Sequence, residues 1–152
     1  MNINDKLSDF KFKIDENKVV NSDDLKGYNI IIYFYPKDDT PGCTVEAIDF
    51  SKSKNKFSKF NTKIFGVSKD SIEKHKKFVT KHSLKIDLIS DDASICEKFG
   101  VWVEKSMYGK KYMGIERATF LFDKDLKLIK TWRNVKVKGH VEEVLDFIKN
   151  LS

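Results

Sequence analysis

Uninterrupted apolar runs alternate along the chain with apolar positions at helical spacing, and this alternation predicts strands separated by helices. Apolar runs without polar breaks are typical of strands that are buried on both faces. A period-two stretch followed by a polar turn predicts an N-terminal β-hairpin. The hairpin is predicted at Phe10 to Ile14 with Val19-Val20, and further strands at Ile30 to Tyr35, Ile64 to Val67, Ile86 to Ile89, Arg117 to Phe122 and Leu126 to Trp132.

Helix-start signals follow the central strands. Thr-Pro suits the first positions of a helix, because a threonine side chain can cap it and proline needs no hydrogen bond there. Gly100 is typical of a helix end. The predicted helices begin after Thr40, at Ser71, at Ser90 or Asp91, and at about His140, where Val141, Val144, Leu145 and Ile148 form an apolar stripe.

The order β-α-β-α-β-α followed by β-β-α predicts parallel strands first and an antiparallel pair at the end. The expected fold class is therefore α/β, a thioredoxin-like sandwich with a mixed central β-sheet flanked by helices and an N-terminal β-hairpin. A chain of 152 residues with 40% hydrophobic content suits one core, so we expect a single domain over residues 1–152. Reactive groups should gather beyond the carboxyl ends of the parallel strands, as in the loop after Tyr35.

Composition excludes several classes of protein. No apolar run approaches a transmembrane helix, and residues 1–10 lack the pattern of a secretory signal. We therefore expect a cytoplasmic protein without a membrane partner, with an organelle or the nucleus as alternatives. Two cysteines without metal-ligand spacing argue against a structural zinc site. His75 and His82 share a helical face, but no further ligand completes a metal set, so no metal is expected.

The net charge of +6 raises the question of nucleic acid binding. Only Arg117 and Arg133 among the 29 basic residues are arginines, whereas arginine carries most bidentate recognition of bases and phosphates. A lysine cluster at residues 52–59 coincides with Phe50, Phe57 and Phe60, whose spacing suits one helix with a buried face. The lysines are therefore interpreted as a solvated surface, with no specific nucleic acid partner.

The segment after the first central strand carries the candidate chemistry. With Thr40 as N-cap and Pro41 at the first helical position, Cys43 falls at the third. The helix dipole and the unpaired N–H groups of a first turn favour a thiolate there. The Thr40 hydroxyl could accept from this turn and donate to the sulfur or to a bound oxygen. The alternative is that Cys43 is a small, inert hydrophobic residue at a helix start.

The fifteen residues from Tyr33 to Ala47, YFYPKDDTPGCTVEA, closely resemble the active-site segment of peroxiredoxins, in particular the bacterioferritin-comigratory-protein or PrxQ subgroup. Pro36, Thr40 and Cys43 match the family pattern Pro-x-x-x-Thr-x-x-Cys. Weaker matches extend over nearly the whole chain, including Phe99 to Trp102 and Gly114 to Phe120. Together these matches identify the chain as a member of that subgroup.

The resemblance implies a thiol peroxidase that reduces hydrogen peroxide and organic hydroperoxides and needs no bound cofactor. Cys43 would be the peroxidatic cysteine and Arg117 the active-site arginine. Arg117 fits this role independently if its strand runs antiparallel beside the first central strand, because it would then begin beside the Cys43 loop. The alternative is a surface charge at a strand end. The supporting residues are Pro36, Pro41 and Gly42 in the loop, and Glu46, which in relatives orients the arginine and could otherwise be a simple first-turn carboxylate.

The resolving cysteine of many relatives is missing from its usual places. Ile48 stands five residues after Cys43, and the predicted helix at residues 71–82 holds no cysteine. Cys96 remains, but the resemblance places it beyond an edge strand, about 10 Å away in the sheet, too far for direct bridging. We therefore expect a one-cysteine mechanism, a thioredoxin-like or glutathione-like external thiol, and a monomer or weak dimer. A long-range or intermolecular resolving role for Cys96 is the alternative.

Two rival functions belong to other classes. A thioredoxin-like disulfide reductase would share the fold, but the chain lacks the second thiol of a CxxC motif. A nonenzymatic, lysine-rich module that binds nucleic acid or protein would account for the charge, and its binding would survive loss of Cys43.

Overall fold

The structure, a computed structural model that describes residues 1–151, is organised around a five-stranded mixed sheet. The strands of the sheet are β3 (Asn29–Phe34), β4 (Thr62–Ser68), β5 (Asp87–Ser90), β8 (Ala118–Phe122) and β9 (Leu128–Trp132). The strand order is β5-β4-β3-β8-β9. β3, β4 and β5 are parallel, whereas β8 pairs antiparallel with β3 and β9 with β8. This topology confirms the predicted arrangement.

Helices and two small hairpins complete the described chain. The N-terminal hairpin is present as predicted, and a single 3-10 turn at Ser22–Leu25 follows it. The hairpins are β1 (Lys11–Asp15) with β2 (Lys18–Asn21), and β6 (Trp102–Met107) with β7 (Lys110–Ile115). The helices are α1 (Pro41–Lys52), α2 (Lys54–Ser58), α3 (Ile72–His82), α4 (Ser94–Lys98) and α5 (His140–Lys149).

The sheet separates two hydrophobic clusters, because successive side chains of a strand point to opposite faces. In β3, Ile30, Ile32 and Phe34 belong to one cluster, whereas Ile31 and Tyr33 belong to the other. The first cluster also holds residues of the N-terminal hairpin and α4, and the second holds residues of α1, α2, α3 and α5. The two faces are thus covered by different elements, one by the N-terminal hairpin and α4 and the other by four helices.

Two local predictions were wrong, and one element was missed. The phenylalanine spacing over residues 50–60 predicted one helix, but α1 ends at Lys52 and α2 begins at Lys54. The β6–β7 hairpin was not predicted at all. Neither Ser90 nor Asp91 is the N-cap of α4, since Ala93 occupies that position with a φ of 88°. Asp91 nevertheless serves this helix, because its carboxylate accepts hydrogen bonds from the backbone N–H groups of Ile95 and Cys96.

The prediction for α3 is confirmed in detail. Its N-cap is Ser71, whose hydroxyl accepts a hydrogen bond from the Lys74 N–H. None of the helices within residues 1–151 combines the length and the apolar composition needed to cross a membrane.

Candidate active site

The register between β3 and β8 brings Arg117 to the end of β3. Phe34 lies opposite Ala118, so Arg117, one residue earlier, stands at the carboxyl end of the neighbouring strand. α1 begins beyond the same strand end, with Thr40 as N-cap and Pro41 as its first residue. Cys43 therefore occupies the third helical position, and its side chain is almost fully buried. Two segments that are 74 residues apart in sequence meet at this point.

The Arg117 guanidinium bridges Cys43 and Glu46. Nη2 of Arg117 donates to Sγ of Cys43 at 3.3 Å, and Nη1 donates to Oε1 of Glu46 at 2.8 Å. Glu46 lies three residues after Cys43 and so occupies the same side of α1, one turn further on. The carboxylate fixes one arm of the guanidinium while the other arm is directed at the sulfur.

Glu46 is an unusual carboxyl group, because it is completely buried. Within residues 1–151, its Oε2 and the Tyr33 hydroxyl are the buried side-chain oxygens that lack a hydrogen-bond partner. Burial raises the pKa of Glu46 to about 7, although the charge and hydrogen bond of Arg117 act in the opposite direction. Burial alone would lower the pKa of Arg117, but the charges of Glu46 and Cys43 outweigh it, and the pKa is raised.

Glu46 should make stability depend on pH in a predictable direction. Its pKa rises from 4.5 to about 7 on folding, so only the folded protein holds this proton between those values. The stabilisation of the folded state by this proton is complete below pH 4.5 and is lost as the pH rises through about 7. The free energy of unfolding then falls by about 3 kcal/mol. Between pH 4.5 and about 7, the free energy of unfolding should therefore fall by about 3 kcal/mol less in Glu46→Gln than in the wild type. Denaturant unfolding at a series of pH values measures the difference.

Glu73→Gln is the matched control, since Glu73 is an exposed carboxylate in the first turn of α3. Its pH dependence should follow that of the wild type. Parallel curves for wild type and Glu46→Gln would contradict the assignment of a buried, proton-binding carboxyl at position 46.

Thr40 lies at the predicted place but makes a different contact. It is the N-cap of α1, yet its side chain accepts no capping hydrogen bond. Its hydroxyl instead donates to the backbone carbonyl of Lys37 at 2.8 Å, which braces the loop in front of Cys43. The predicted N-cap position is confirmed, but the predicted hydrogen bond from the first turn to the Thr40 hydroxyl is not formed. The lone pairs of this oxygen are left to accept from a ligand beside the sulfur.

The loop residues differ in their surroundings. Pro36 and Pro41 are both exposed. Gly42 allows a close approach, because a Cβ at this position would lie only 3.2 Å from Nη2 of Arg117. A side chain there would have to displace the guanidinium from its place beside the sulfur.

Cys96 lies far from this constellation in the fold. It belongs to the hydrophobic cluster on the opposite face of the sheet from Cys43. Both cysteines are free and buried. Burial, reinforced by the nearby Asp91 carboxylate, raises the pKa of the Cys96 thiol well above its usual range. A buried thiol with this preference for the protonated form is a poor nucleophile.

Two features near the site were missed by the sequence analysis. Lys105 of the unpredicted β6–β7 hairpin interacts electrostatically with Arg117 and Cys43. Its pKa is lowered, mainly because the side chain is partly buried and secondly because of the positive charge of Arg117. The only local signal was the Tyr108-Gly109 turn between two short polar segments. Behind the loop of residues 36–40, the side chains of Asp38 and His75 form a buried pair, which the sequence does not indicate because they belong to different elements.

Known proteins with similar sequences and folds identify the family of this chain. Residues 3–131 match the AhpC/TSA family. Peroxiredoxin Bcp of Bacillus subtilis is 51% identical over 99% of this chain and 96% of its own. A Cys-to-Ser variant of PrxQ from Xylella fastidiosa superposes with a TM-score of 0.93 at 37% identity, covering 99% of this chain and 96% of that one.

A third relative is the bacterioferritin comigratory protein of Xanthomonas campestris, studied as a trapped intermediate/ligand complex in alkyl peroxide reduction. It has a TM-score of 0.88 at 38% identity and covers 96% of this chain and 98% of its own. The strand order, the Cys43–Arg117 contact and these similarities lead to one conclusion. The chain belongs to the AhpC/TSA family, as a peroxiredoxin of the Bcp/PrxQ subgroup, and is a thiol peroxidase.

Proposed function

We propose that this peroxiredoxin reduces hydrogen peroxide and organic hydroperoxides by a one-cysteine mechanism at Cys43. The observation that carries this proposal is the 3.3 Å contact between Nη2 of Arg117 and Sγ of Cys43. A guanidinium at this distance can donate a charge-assisted hydrogen bond to the attacking sulfur. It also retains donor capacity for a peroxide oxygen placed beside the sulfur.

The first step is attack of the Cys43 thiolate on the terminal oxygen of the hydroperoxide. The sulfur–oxygen bond forms as the oxygen–oxygen bond breaks, and the leaving alkoxide or hydroxide takes up a proton and departs as alcohol or water. Cys43 is oxidised to the sulfenic acid and the peroxide is reduced by two electrons. No electrons pass to any other group.

Negative charge moves from sulfur to the peroxide oxygens during this step, and fixed donors near the sulfur stabilise it. Arg117 supplies a charged donor, held in place through Glu46. The Thr40 hydroxyl, whose proton is donated to the Lys37 carbonyl, can accept from the O–H of the hydroperoxide and so orient it beside the sulfur. Gly42 and Cys43 lie in the first turn of α1, where backbone N–H groups have no partner within the helix and can donate to a bound oxygen.

Regeneration uses an external thiol in this proposal. The opposite-face position of Cys96 supports this step, because the sheet lies between the two cysteine clusters. The first external thiol forms a mixed disulfide with Cys43 and releases water. A second thiol, from the same reductant or another molecule, then releases the Cys43 thiol and leaves with the new disulfide.

The partners follow from the same chemistry. We propose a thioredoxin-like or glutathione-like reductant and a monomer or weak dimer in solution. The proposed compartment is the cytoplasm, since the two free cysteines suit a reducing environment.

A titration with one equivalent of hydrogen peroxide tests the one-cysteine mechanism. We expect intact-mass spectrometry with a sulfenic-acid trap to find a single modification, on Cys43. Excess peroxide should convert Cys43 to the sulfinic acid, because no internal thiol intercepts the sulfenic acid. A loss of two hydrogens together with a crosslinked Cys43–Cys96 peptide would overturn this mechanism.

Cys96→Ser separates a structural cysteine from a resolving one. If Cys96 has a structural role, turnover with a small-thiol reductant persists in this variant. If Cys96 resolves Cys43, the first oxidation survives while turnover with thioredoxin falls sharply. Nonreducing electrophoresis of the wild type then distinguishes a bridge within one chain from a bridge between chains.

A further inference from the structure

A second group of buried polar side chains joins the loop of residues 36–40 to α3 and to the sheet. Asp38 and His75 are 5% and 3% exposed at their side chains, and Oδ2 of Asp38 lies 2.6 Å from Nδ1 of His75. The Tyr35 hydroxyl donates to Oδ1 of Asp38 at 2.5 Å. The Asp38 backbone N–H donates to Oδ2 of Asp70 at 2.8 Å. Asp38 is thus fixed from three directions at once.

The second ring nitrogen of His75 extends this network to the sheet. Nε2 lies 3.1 Å from the backbone carbonyl oxygen of Ile89, which can only accept, so Nε2 carries a proton. One further proton then lies between Nδ1 and the Asp38 carboxyl group, because two acceptors would not approach each other to 2.6 Å. The network therefore connects the Asp38 loop to α3 through His75 and to β5 through Ile89.

A shared proton explains the geometry of this pair better than a metal ion does. Asp38, Asp70 and His75 bring ligand-type atoms within 4.8 Å of one another. Two ligands on one tetrahedral metal ion are separated by about 3.3 Å, however, because each bond is about 2 Å long. The 2.6 Å separation of Oδ2 and Nδ1 is a hydrogen-bond distance.

We propose that Tyr35, Asp38 and His75 are positioning residues that act on Cys43 by anchoring the loop that precedes α1. This inference rests on the proposed function, in which Cys43 is the reacting thiol. Asp38 is two residues from Thr40 and five from Cys43, and the intervening residues are exposed or half-buried until Cys43 itself. The anchor at Asp38 therefore determines where the first turn of α1 stands relative to Arg117.

The anchor keeps Cys43 in a closed, reactive position. Cys43 is 1% exposed, so its access to large reagents requires movement of the loop or of α1. Releasing Asp38 should let the loop and the first turn of α1 move away from Arg117, which arrives from the separate strand β8. Attack on peroxide should become slower while access of a bulky reagent to the sulfur should increase.

Two rates measured on the same variant test this proposal. In His75→Gln, we expect the second-order rate of Cys43 oxidation by hydrogen peroxide to fall at least about 10-fold, as a misplaced reacting group requires. The alkylation rate of Cys43 by a maleimide should rise in the same protein. The alkylation rate of Cys96, monitored by peptide mass spectrometry, should not change. Cys96 is buried in the opposite cluster, so its alkylation reports only global unfolding.

His82→Gln is the matched control. Nε2 of His82 lies 2.9 Å from Oδ1 of Asp39, so it also connects α3 to the same loop, but this contact is at the surface and Lys81 shares Asp39. Both cysteines should react as in the wild type in this variant. An equal rise in alkylation of Cys43 and Cys96 in His75→Gln would assign His75 to global stability, and unchanged rates would assign it no role, so either result overturns the proposal.

Tyr35→Phe provides a milder second variant, because it removes one hydrogen bond to Asp38 and keeps the ring in the core. We expect the same opposite changes in the two Cys43 rates, at smaller size, and wild-type rates in this variant would exclude Tyr35 from the anchor. The alkylation arm needs no peroxidase activity. It therefore tests the anchor even if Cys43 should prove not to be the peroxidatic residue, which Cys43→Ser tests separately.

Discussion

Cys43→Ser is expected to reduce peroxide consumption by roughly 10⁴-fold or to the uncatalysed rate, because the hydroxyl is a far weaker nucleophile than a thiolate. The substitution keeps nearly the same size at a side chain that is almost completely buried beside α1 and β3. The fold should therefore be retained, as judged by circular dichroism and by a single cooperative unfolding transition. Peroxide loss with a small-thiol reductant is the measurement.

Cys96→Ser is the matched control for this prediction, since it removes the other buried cysteine from the opposite face of the sheet. Loss of activity in Cys43→Ser together with retained small-thiol turnover in Cys96→Ser would assign the chemistry to one sulfur. Normal turnover by folded Cys43→Ser would end the assignment of Cys43 as the peroxidatic residue.

The parts of the fold that sequence predicts well are those determined by local burial. The apolar run in β3 has no polar face, and its alternate residues do pack into the two separate clusters. Such a strand must be central and covered on both faces. The short polar turn at residues 123–125 favours only the antiparallel pairing of β8 with β9. The position of Arg117 beside the end of β3 depends on the further antiparallel pairing of β8 with β3, which no local signal determines.

The features that sequence did not predict depend on contacts between distant segments. The β6–β7 hairpin carries mostly exposed residues, so it has no apolar alternation to reveal it. The Asp38–His75 pair joins residues 37 positions apart, and both belong to residue types that are usually solvated. Only the packing of α3 against the sheet brings them together.

Residue type alone also does not predict which backbone group a capping side chain binds. Thr40 stands at the N-cap of α1 but donates to the Lys37 carbonyl, while Asp91 satisfies the first turn of α4 from outside the N-cap position. A short polar side chain can reach several neighbouring backbone groups with similar energy. The tertiary position of the loop decides which of these hydrogen bonds forms.

Arg117→Ala should lower the second-order rate of Cys43 oxidation by on the order of 10²- to 10³-fold, the usual effect of losing one charge-stabilising donor. Both arms of the guanidinium are in use, one on Sγ of Cys43 and the other on Glu46. Arg117→Lys keeps the charge but loses the paired donors, so its rate should lie between those of Arg117→Ala and the wild type. Stopped-flow oxidation with hydrogen peroxide measures all three, and a wild-type rate in Arg117→Ala would contradict the assignment.

A double-variant cycle shows whether Glu46 acts through Arg117. Arg117→Ala leaves the fully buried Glu46 without its charged partner, and the carboxyl should then stay protonated to a higher pH. If Glu46 serves only to orient the guanidinium, Glu46→Gln slows oxidation in the wild type but has no further effect once Arg117 is alanine. Equal effects of Glu46→Gln in both backgrounds would instead mean that the carboxyl influences Cys43 independently of Arg117. Arg133→Ala is the control, because Arg133 makes a comparable paired contact with Glu116 at the surface and should leave the rate unchanged.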